Sequence, residues 1–204
     1  MSSPNPEKLV LWTIASTAFF GFFRLGELLL PSSAAYDPAT CLSWGDIAID
    51  SRDNPSMVQV RLRKSKCDQF GKGAQIILGN TGTRLCPVSA ILRYTEARKS
   101  QPQGPFFLLS SGVPVTKMWF TAQIRDILRL LGLPQDDYAG HSFRIGAATT
   151  AAMVGIADSS IQTLGRWQSA AFLQYIRTPA SQLASFARTM SASSPPTTGG
   201  RSEP

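Results

Sequence analysis

Residues His141–Tyr175 read HSFRIGAATTAAMVGIADSSIQTLGRWQSAAFLQY. The stretch contains the only histidine of the 204-residue chain, and Arg144 follows it by one helical turn. A tyrosine can attack a phosphodiester, a histidine can transfer protons, and an arginine can hold phosphate oxygens through two parallel hydrogen bonds. Together these side chains indicate nucleophilic chemistry on a phosphodiester. Each one alone is more typical of a helix cap or an amphipathic helix.

The charge of the chain indicates a polyanionic partner. The chain has 20 Lys and Arg against 13 Asp and Glu, a net charge of +7. Residues 61–100 carry nine of the basic residues and two of the acidic ones. Such a concentration favours nucleic-acid binding, although a basic face that is merely solvated gives the same composition.

Two classes of protein, metal-binding proteins and membrane proteins, fit the sequence poorly. Three widely spaced cysteines and one histidine give no zinc-binding pattern, so we expect no metal site and a reducing compartment. The apolar run Leu9–Phe23 is shorter than the ~20 residues of a membrane-spanning helix, and Arg24 follows it at once. We interpret this run as a buried core helix and expect no membrane partner.

Arg24 and Glu27 form a second charged group, in the segment FFRLGELLL. Their spacing places both on one helix face, where an exposed ion pair is the simplest interpretation. Because an unpaired charge among Phe and Leu side chains would be costly, we favour a partly buried arginine that Glu27 orients toward an anion.

A basic hairpin is predicted between two strands, at 57–62 and 74–78. The connecting segment RKSKCDQFGKG contains Lys66 and three further candidate DNA-binding residues: Arg63, Lys64 and Lys72. Its cations would enter a nucleic-acid groove, unless the segment is simply a soluble basic loop.

Helix signals dominate the rest of the chain, and a further strand is expected to begin near Trp44–Ile47. The predicted helices begin at Pro6, Arg24, Pro87, Thr116 and His141, with Asp158 capping another and two short ones at 170–176 and 181–190. The second of them is expected to end at Pro31, and the helical pattern of the third extends to Ser100. The expected fold class is therefore α+β and mainly α-helical, with a small three-stranded antiparallel sheet or β-hairpin at one side.

In this order, the motifs resemble the catalytic domain of the tyrosine recombinase (phage integrase) family over residues 7–178. FRLGELL resembles the first box, which implies that Arg24 contacts the scissile phosphate and Glu27 supports the site. SKCDQFGKG resembles the hairpin lysine motif, which implies a catalytic role for Lys66.

The His-x-x-Arg box and the last box lie in the central stretch. HSFR resembles the His-x-x-Arg box and maps it onto His141 and Arg144. LGRW followed by QY resembles the last box, which implies that Tyr175 is the nucleophile. The family usually has His or Trp nine residues before the tyrosine, whereas this chain has Arg166 there and Trp167 one position later. Either residue could fill the position, and we favour Trp167 because its indole N–H is a donor and its ring packs well beside a core.

The resemblance implies a mechanism and a partner. Tyr175 would attack double-stranded DNA to give a 3′-phosphotyrosyl bond and a 5′-hydroxyl, without ATP, metal or cofactor. Arg24 and Arg144 would bind the non-bridging oxygens, Lys66 would protonate the leaving oxygen, and His141 would assist proton transfer. The amino-acid sequence of the last two boxes is similar to that of Crypton and DIRS-type mobile-element recombinases.

The domain organisation leaves a second function open. We expect an N-terminal tail at 1–6, the catalytic domain at 7–190 and a disordered tail at 191–204. Family members usually carry an N-terminal core-binding domain, and the expectation that it is missing here makes a catalytically silent, domesticated DNA-binding module the alternative. The family also implies a tetramer on DNA packed through the C-terminal helix. The location would be the nucleus in a eukaryote, and the cytoplasm otherwise.

Overall fold

The structure is a computed structural model that describes residues 5–31, 36–63, 73–98 and 103–192. It is mainly helical and has one small antiparallel sheet, which confirms the predicted fold class. The helices are α1 (Pro6–Phe20), α2 (Leu25–Leu28), α3 (Pro87–Ala97), α4 (Lys117–Leu130), α5 (Ser142–Met153), α6 (Asp158–Gly165) and α7 (Ala180–Ala192). The strands are β1 (Ile47–Ile49), β2 (Met57–Leu62) and β3 (Ala74–Gly79), and short 3-10 turns span Trp44–Asp46, Gln135–Asp137 and Ala170–Tyr175.

Helix α1 carries the chain to the site and then stops abruptly. Its first turn is capped by Asn5, whose side chain accepts hydrogen bonds from the backbone of Glu7 and Lys8. At its end, Phe22 adopts a left-handed conformation with φ 52°, which is uncommon for a residue with a large side chain. This turn directs Arg24 to the start of α2.

The sheet has the order β1-β2-β3, and both pairings are antiparallel. Alternate residues of β2 point into the core, where Val58 and Val60 are fully buried. They pair with Leu78 and Ile76 of β3. The predicted strands are thus confirmed.

Two hydrophobic clusters make up the core. The larger one joins α1, α3 and the sheet, whereas the smaller one is built on α5, α6 and the turn that contains Tyr175. The smaller cluster uses Ala147, Ala148 and Ala151 of α5, which allow α5 to lie close to its neighbours. The Ala, Gly and Thr content of this helix is typical of such close packing.

Several predicted boundaries are wrong by a few residues. Helix α2 ends at Leu28 rather than at Pro31, because Leu30 forms a bridge with Thr116. Helix α3 ends at Ala97 rather than Ser100. Asp158 is the first residue of α6 and not its cap, which is Ala157. Tyr175 closes a 3-10 turn rather than lying on an α-helix.

Within the described ranges, none of the helices is both long and apolar enough to cross a membrane. The predicted tails fall almost entirely outside the described residues, which exclude 1–4 and 193–204.

Candidate active site

Glu27 is the acidic centre of the site, and its side chain is only 7% exposed. Its Oε1 pairs with Nη1 of Arg24 at 3.1 Å, and its Oε2 accepts a 2.9 Å hydrogen bond from the Arg24 backbone N–H. The Arg24 side chain is 22% exposed. The prediction of a partly buried arginine oriented by Glu27 is confirmed.

Arg166 binds the same carboxylate from the other end of the chain. Its Nη2 lies 3.0 Å from Oε2 of Glu27 and 3.2 Å from the carbonyl oxygen of Phe22. Its Nη1 donates to the carbonyl of Gly21 at 2.9 Å. Arg166 itself has a left-handed backbone, with φ 59°, immediately after α6.

Arg144 is the most deeply buried charged residue that the structure describes, at 0% exposure. Its Nη1 donates to the carbonyl of Phe22 at 2.6 Å, and its Nη2 donates to the carbonyl of Gly165. Burial, together with repulsion from Arg24 and Arg166, lowers the Arg144 pKa to about 10, against opposing effects of Glu27 and Tyr175. An anion beside Arg144 would relieve this unfavourable electrostatic environment.

Trp167 lies between the buried arginine and the predicted nucleophile. The Arg144 Cζ atom is 4.2 Å from the centroid of the Trp167 ring, and the Trp167 and Tyr175 ring centroids are 5.1 Å apart. A side chain at Gly165 would overlap the Trp167 ring, so the glycine lets the indole fold back. This geometry supports Trp167 as the donor near Tyr175, which stays a prediction.

Two buried donors in this cluster have no hydrogen-bond partner among the described residues: Nε of Arg144 and Nε1 of Trp167. Buried donors are normally satisfied, and each one left without an acceptor is costly. An oxyanion within hydrogen-bond reach of either donor would supply the missing acceptor.

Thr149 of α5 fixes the backbone that immediately follows the side chain of the predicted nucleophile. Its hydroxyl donates to the Tyr175 carbonyl at 3.2 Å and accepts from the Arg177 backbone N–H at 3.0 Å. Sequence reasoning missed this contact, because Thr149 is one of several small residues on a helix that signals only close packing.

His141 lies at the solvent-exposed start of α5, three residues before Arg144. Arg144, by contrast, is fully buried one turn further along the helix. The role of His141 in proton transfer stays a prediction.

The hairpin lysines Lys64, Lys66 and Lys72 lie outside the described residues. Arg63, at the base of the hairpin, donates from Nε to Asp46 Oδ1 at 2.8 Å and from Nη1 to the Pro38 carbonyl at 2.9 Å. The hydrogen bond to Asp46 raises the Arg63 pKa. Arg63 therefore braces the hairpin base, and its predicted contact with DNA is untested.

Helix α4 adds a basic face that the sequence did not reveal as functional. Lys117, Arg125 and Arg129 line an open cleft of about 590 Å³, together with Asp126. The cleft lies close to the start of α5, since a side chain built on Gly140 would come within 3.6 Å of Lys117 Cε.

No protein-family model and no curated protein matches this chain in sequence. Solved structures do match its fold. The XerA recombinase superimposes with a TM-score of 0.63 and 19% identity, over 93% of this chain and 62% of that one. The chain has the fold of the site-specific recombinases.

Two further structures with this recombinase fold are complexes. The XerH site-specific recombinase bound to its difH substrate matches with a TM-score of 0.61 and 13% identity, over 95% of this chain and 50% of that chain. The Tn1549 transposon integrase, in complex with transposon right end DNA, matches with a TM-score of 0.51 and 16% identity, over 94% of this chain and 66% of that one. The chain thus spans 50–66% of the length of the three proteins.

Within the recombinase fold, five of the predicted residues and the alternative Arg166 converge, either directly or through the Phe22 carbonyl. They are Arg24, Glu27, Arg144, Trp167 and Tyr175. The same described part of the chain contains no group of three His, Cys, Asp or Glu side chains that could hold a metal ion. The Phe22 carbonyl, which accepts from both Arg144 and Arg166, was missed because no sequence signal predicts a left-handed phenylalanine.

Proposed function

We propose that this chain is the catalytic domain of a tyrosine recombinase, which breaks and rejoins double-stranded DNA through attack by Tyr175. The observation that carries the proposal is the convergence of three arginines beside Tyr175. Arg24 and Arg166 pair with Glu27, while the buried Arg144 shares the Phe22 carbonyl with Arg166 and has its Cζ atom 5.8 Å from the centroid of the Tyr175 ring. The recombinase fold supports the same reaction class.

The electrostatics of the cluster favour a phosphate. Arg24, Arg144 and Arg166 carry three positive charges against the single carboxylate of Glu27. A phosphodiester would neutralise part of this excess and would raise the pKa of Arg144. Guanidinium groups held in a water-poor site are also suited to stabilising the additional charge that develops in the transition state.

The proposed step exchanges one phosphoester bond for another. The Tyr175 oxygen bonds to phosphorus while the bond to the 5′-oxygen breaks, and the bond energy is kept in a 3′-phosphotyrosyl linkage. Lys66 gives a proton to the leaving 5′-oxygen, and His141 assists removal of the tyrosine proton. Rejoining is the reverse attack by a 5′-hydroxyl.

The face of α4 supports a duplex rather than a small phosphate ester as the substrate. Arg125 and Arg129 are separated by four residues, or about 6 Å along the helix, and Lys117 continues the row toward the site. With the predicted hairpin lysines, these cations would contact the DNA backbone on both sides of the scissile phosphate.

A suicide DNA duplex tests the proposal directly. A nick next to the scissile phosphate lets the cleaved end diffuse away and traps the covalent adduct, which is then detected as an SDS-stable, protease-sensitive species. We expect the wild type and the control Tyr138→Phe to form the adduct, and Tyr175→Phe to form none. An adduct from Tyr175→Phe would show that the nucleophile is another residue.

The acid role of Lys66 has its own test. A 5′-thio leaving group needs no proton, so Lys66→Ala should slow cleavage of the normal duplex far more than cleavage of the 5′-thio duplex. Equal slowing on both duplexes would remove Lys66 from this role.

The second candidate function is a catalytically silent DNA-binding module. One observation favours it: the Arg144 guanidinium is fully buried and donates to two backbone carbonyls. Binding to a recombination-site duplex without any covalent adduct would identify this function instead.

We further propose that the chain derives from a transposable element of the Crypton or DIRS type, and that it acts in the nucleus if the source is eukaryotic. We also propose that it assembles on DNA through α7. Leu183 and Met190 of α7 are 56% and 76% exposed, which leaves apolar surface for a neighbouring protomer. Sizing chromatography with DNA should give a multimer that Leu183→Glu disrupts. A monomer on DNA under all conditions would contradict packing between protomers.

A further inference from the structure

Arg166 occupies the position at which the recombinase resemblance predicts His or Trp, yet its side chain points into the protein's own backbone. Its guanidinium donates to the carbonyls of Gly21 at 2.9 Å, Phe22 at 3.2 Å and Leu164 at 3.3 Å. It also pairs with Glu27 at 3.0 Å. These contacts span 145 residues of the chain and tie the end of α6 to the turn after α1.

The acceptors of Arg166 are also the supports of the other two arginines. The Phe22 carbonyl receives Nη2 of Arg166 and Nη1 of Arg144, and the Glu27 carboxylate receives Arg166 and Arg24. Arg166 therefore touches the partner of each predicted phosphate-binding arginine.

The backbone at both ends of this contact is unusual. Phe22 and Arg166 are the two residues other than glycine with a positive φ in the described part of the chain, at 52° and 59°. Such conformations persist where surrounding contacts over-determine them, and they cluster at functional sites. Here the Arg166 side chain bonds to the carbonyl of the other strained residue.

We propose that Arg166 is a positioning residue: it holds Glu27 and the Gly21–Phe22 turn so that Arg24 and Arg144 face the scissile phosphate. This inference rests on the proposed recombinase function. In the family, one hydrogen-bond donor occupies this position. Here two neighbouring residues take different parts: Trp167 lies against Arg144 and Tyr175, while Arg166 holds the Phe22 carbonyl and the Glu27 carboxylate.

The test uses Arg166→Gly, since glycine accepts the left-handed backbone without strain, so that the effect comes from loss of the side chain and its guanidinium contacts. Single-turnover adduct formation on the suicide duplex is measured for this variant, for Glu27→Gln and for the double variant. We expect each single variant to slow the reaction by on the order of 10–100-fold, with DNA affinity changed less than about threefold, because the chemical step and not binding needs the alignment. The double variant should be no more than about threefold slower than the slower single variant, since both substitutions break one network.

A duplex with a neutral methylphosphonate at the scissile position separates positioning from direct contact. Removing one negative charge should restore much of the lost rate in Arg144→Ala, whose missing cation would face the phosphate, and little in Arg166→Gly. Three results would each overturn the inference. They are a restored rate for Arg166→Gly on the methylphosphonate duplex, rate losses that multiply in the double variant, and an unchanged rate for Arg166→Gly on the normal duplex.

If the proposed recombinase function is wrong, the outcome differs from a failure of the Arg166 inference. If the wild type forms no Tyr175-dependent adduct, hydrogen exchange of the amides from Phe22 to Leu28 still tests the positioning contact without DNA. Faster exchange in Arg166→Gly supports the brace, and unchanged exchange overturns it.

Discussion

Arg24 and Arg144 are the two predicted phosphate-binding arginines, and they are held in opposite ways. Arg24 is partly exposed and pairs with a carboxylate, whereas Arg144 is fully buried and donates to neutral carbonyls. A carboxylate cancels much of the positive charge of its partner, while carbonyls solvate a charge without cancelling it. The positive charge of Arg144 is therefore less neutralised than that of Arg24, and an anion would stabilise it more. Arg144 is also the arginine that lies beside the Tyr175 ring.

The largest expected effect comes from removing the less neutralised charge. Arg144→Ala should slow adduct formation by roughly 10²–10³-fold, the loss typical of a preorganised transition-state donor, and Arg24→Ala should slow it less. Arg144→Lys keeps the charge but loses the planar fork, so we expect it to stay impaired. Single-turnover rates on the suicide duplex measure all three, and a larger loss for Arg24→Ala would reverse the comparison.

Gly165→Ala tests whether the Arg144 side of the site depends on the folded-back Trp167. An added methyl group would overlap the indole ring, so we expect a loss of roughly 1–3 kcal/mol in the free energy of unfolding, together with a slower adduct reaction. The matched control is Gly26→Ala on the Arg24 side, where no atom lies within 4 Å of the added carbon. Chemical denaturation should show the control at least as stable as the wild type, and equal losses would mean that the indole moves freely.

Sulfate binding tests where the anion site is centred. At ten times its Kd, sulfate should add about 1.4 kcal/mol of stability, or roughly 3–6 °C in Tm for a domain of this size. Arg144→Met should lose most of this gain, whereas Arg52→Ala, which changes an exposed arginine between β1 and β2, should keep it. Because sulfate also stabilises proteins nonspecifically, an equal gain in all three proteins would place no anion at Arg144.

Thr149→Val is the smallest perturbation, because it leaves the charges in place and removes two hydrogen bonds beside Tyr175. We expect a loss of about 1 kcal/mol in stability and a decrease of a few fold in adduct rate. Thr150→Val, at an exposed position of the same helix, is the control. If both variants behave alike, the Thr149 contact does not position Tyr175.

Local signals in the sequence were enough to predict the main helices and strands, and to predict the partly buried pair of Arg24 and Glu27. Proline at Pro6 and Pro87 and the cap at Thr116 mark where helices start, and alternation marks β2 and β3. The burial of Arg24 and Glu27 followed from their apolar neighbours, because an unpaired charge is not tolerated there.

The rest of the site depends on contacts between distant segments, which local propensity does not encode. Glu27 and Arg166 are 139 residues apart, and their ion pair forms only when α6 meets the turn after α1. The role of the Phe22 carbonyl depends on a left-handed backbone that tertiary contacts impose. For the same reason, the sequence left Arg166 and Trp167 as alternatives, whereas the structure gives them different neighbours.

Mapping the covalent adduct is the most direct test of the central hypothesis that Tyr175 attacks DNA at this arginine cluster. The wild-type protein is trapped on a suicide duplex, digested with a protease and a nuclease, and analysed by mass spectrometry for a peptide carrying a nucleotide. We predict a single phosphotyrosyl modification, on Tyr175. A nucleotide attached to any other residue, or no adduct on a duplex that the protein binds, would contradict it.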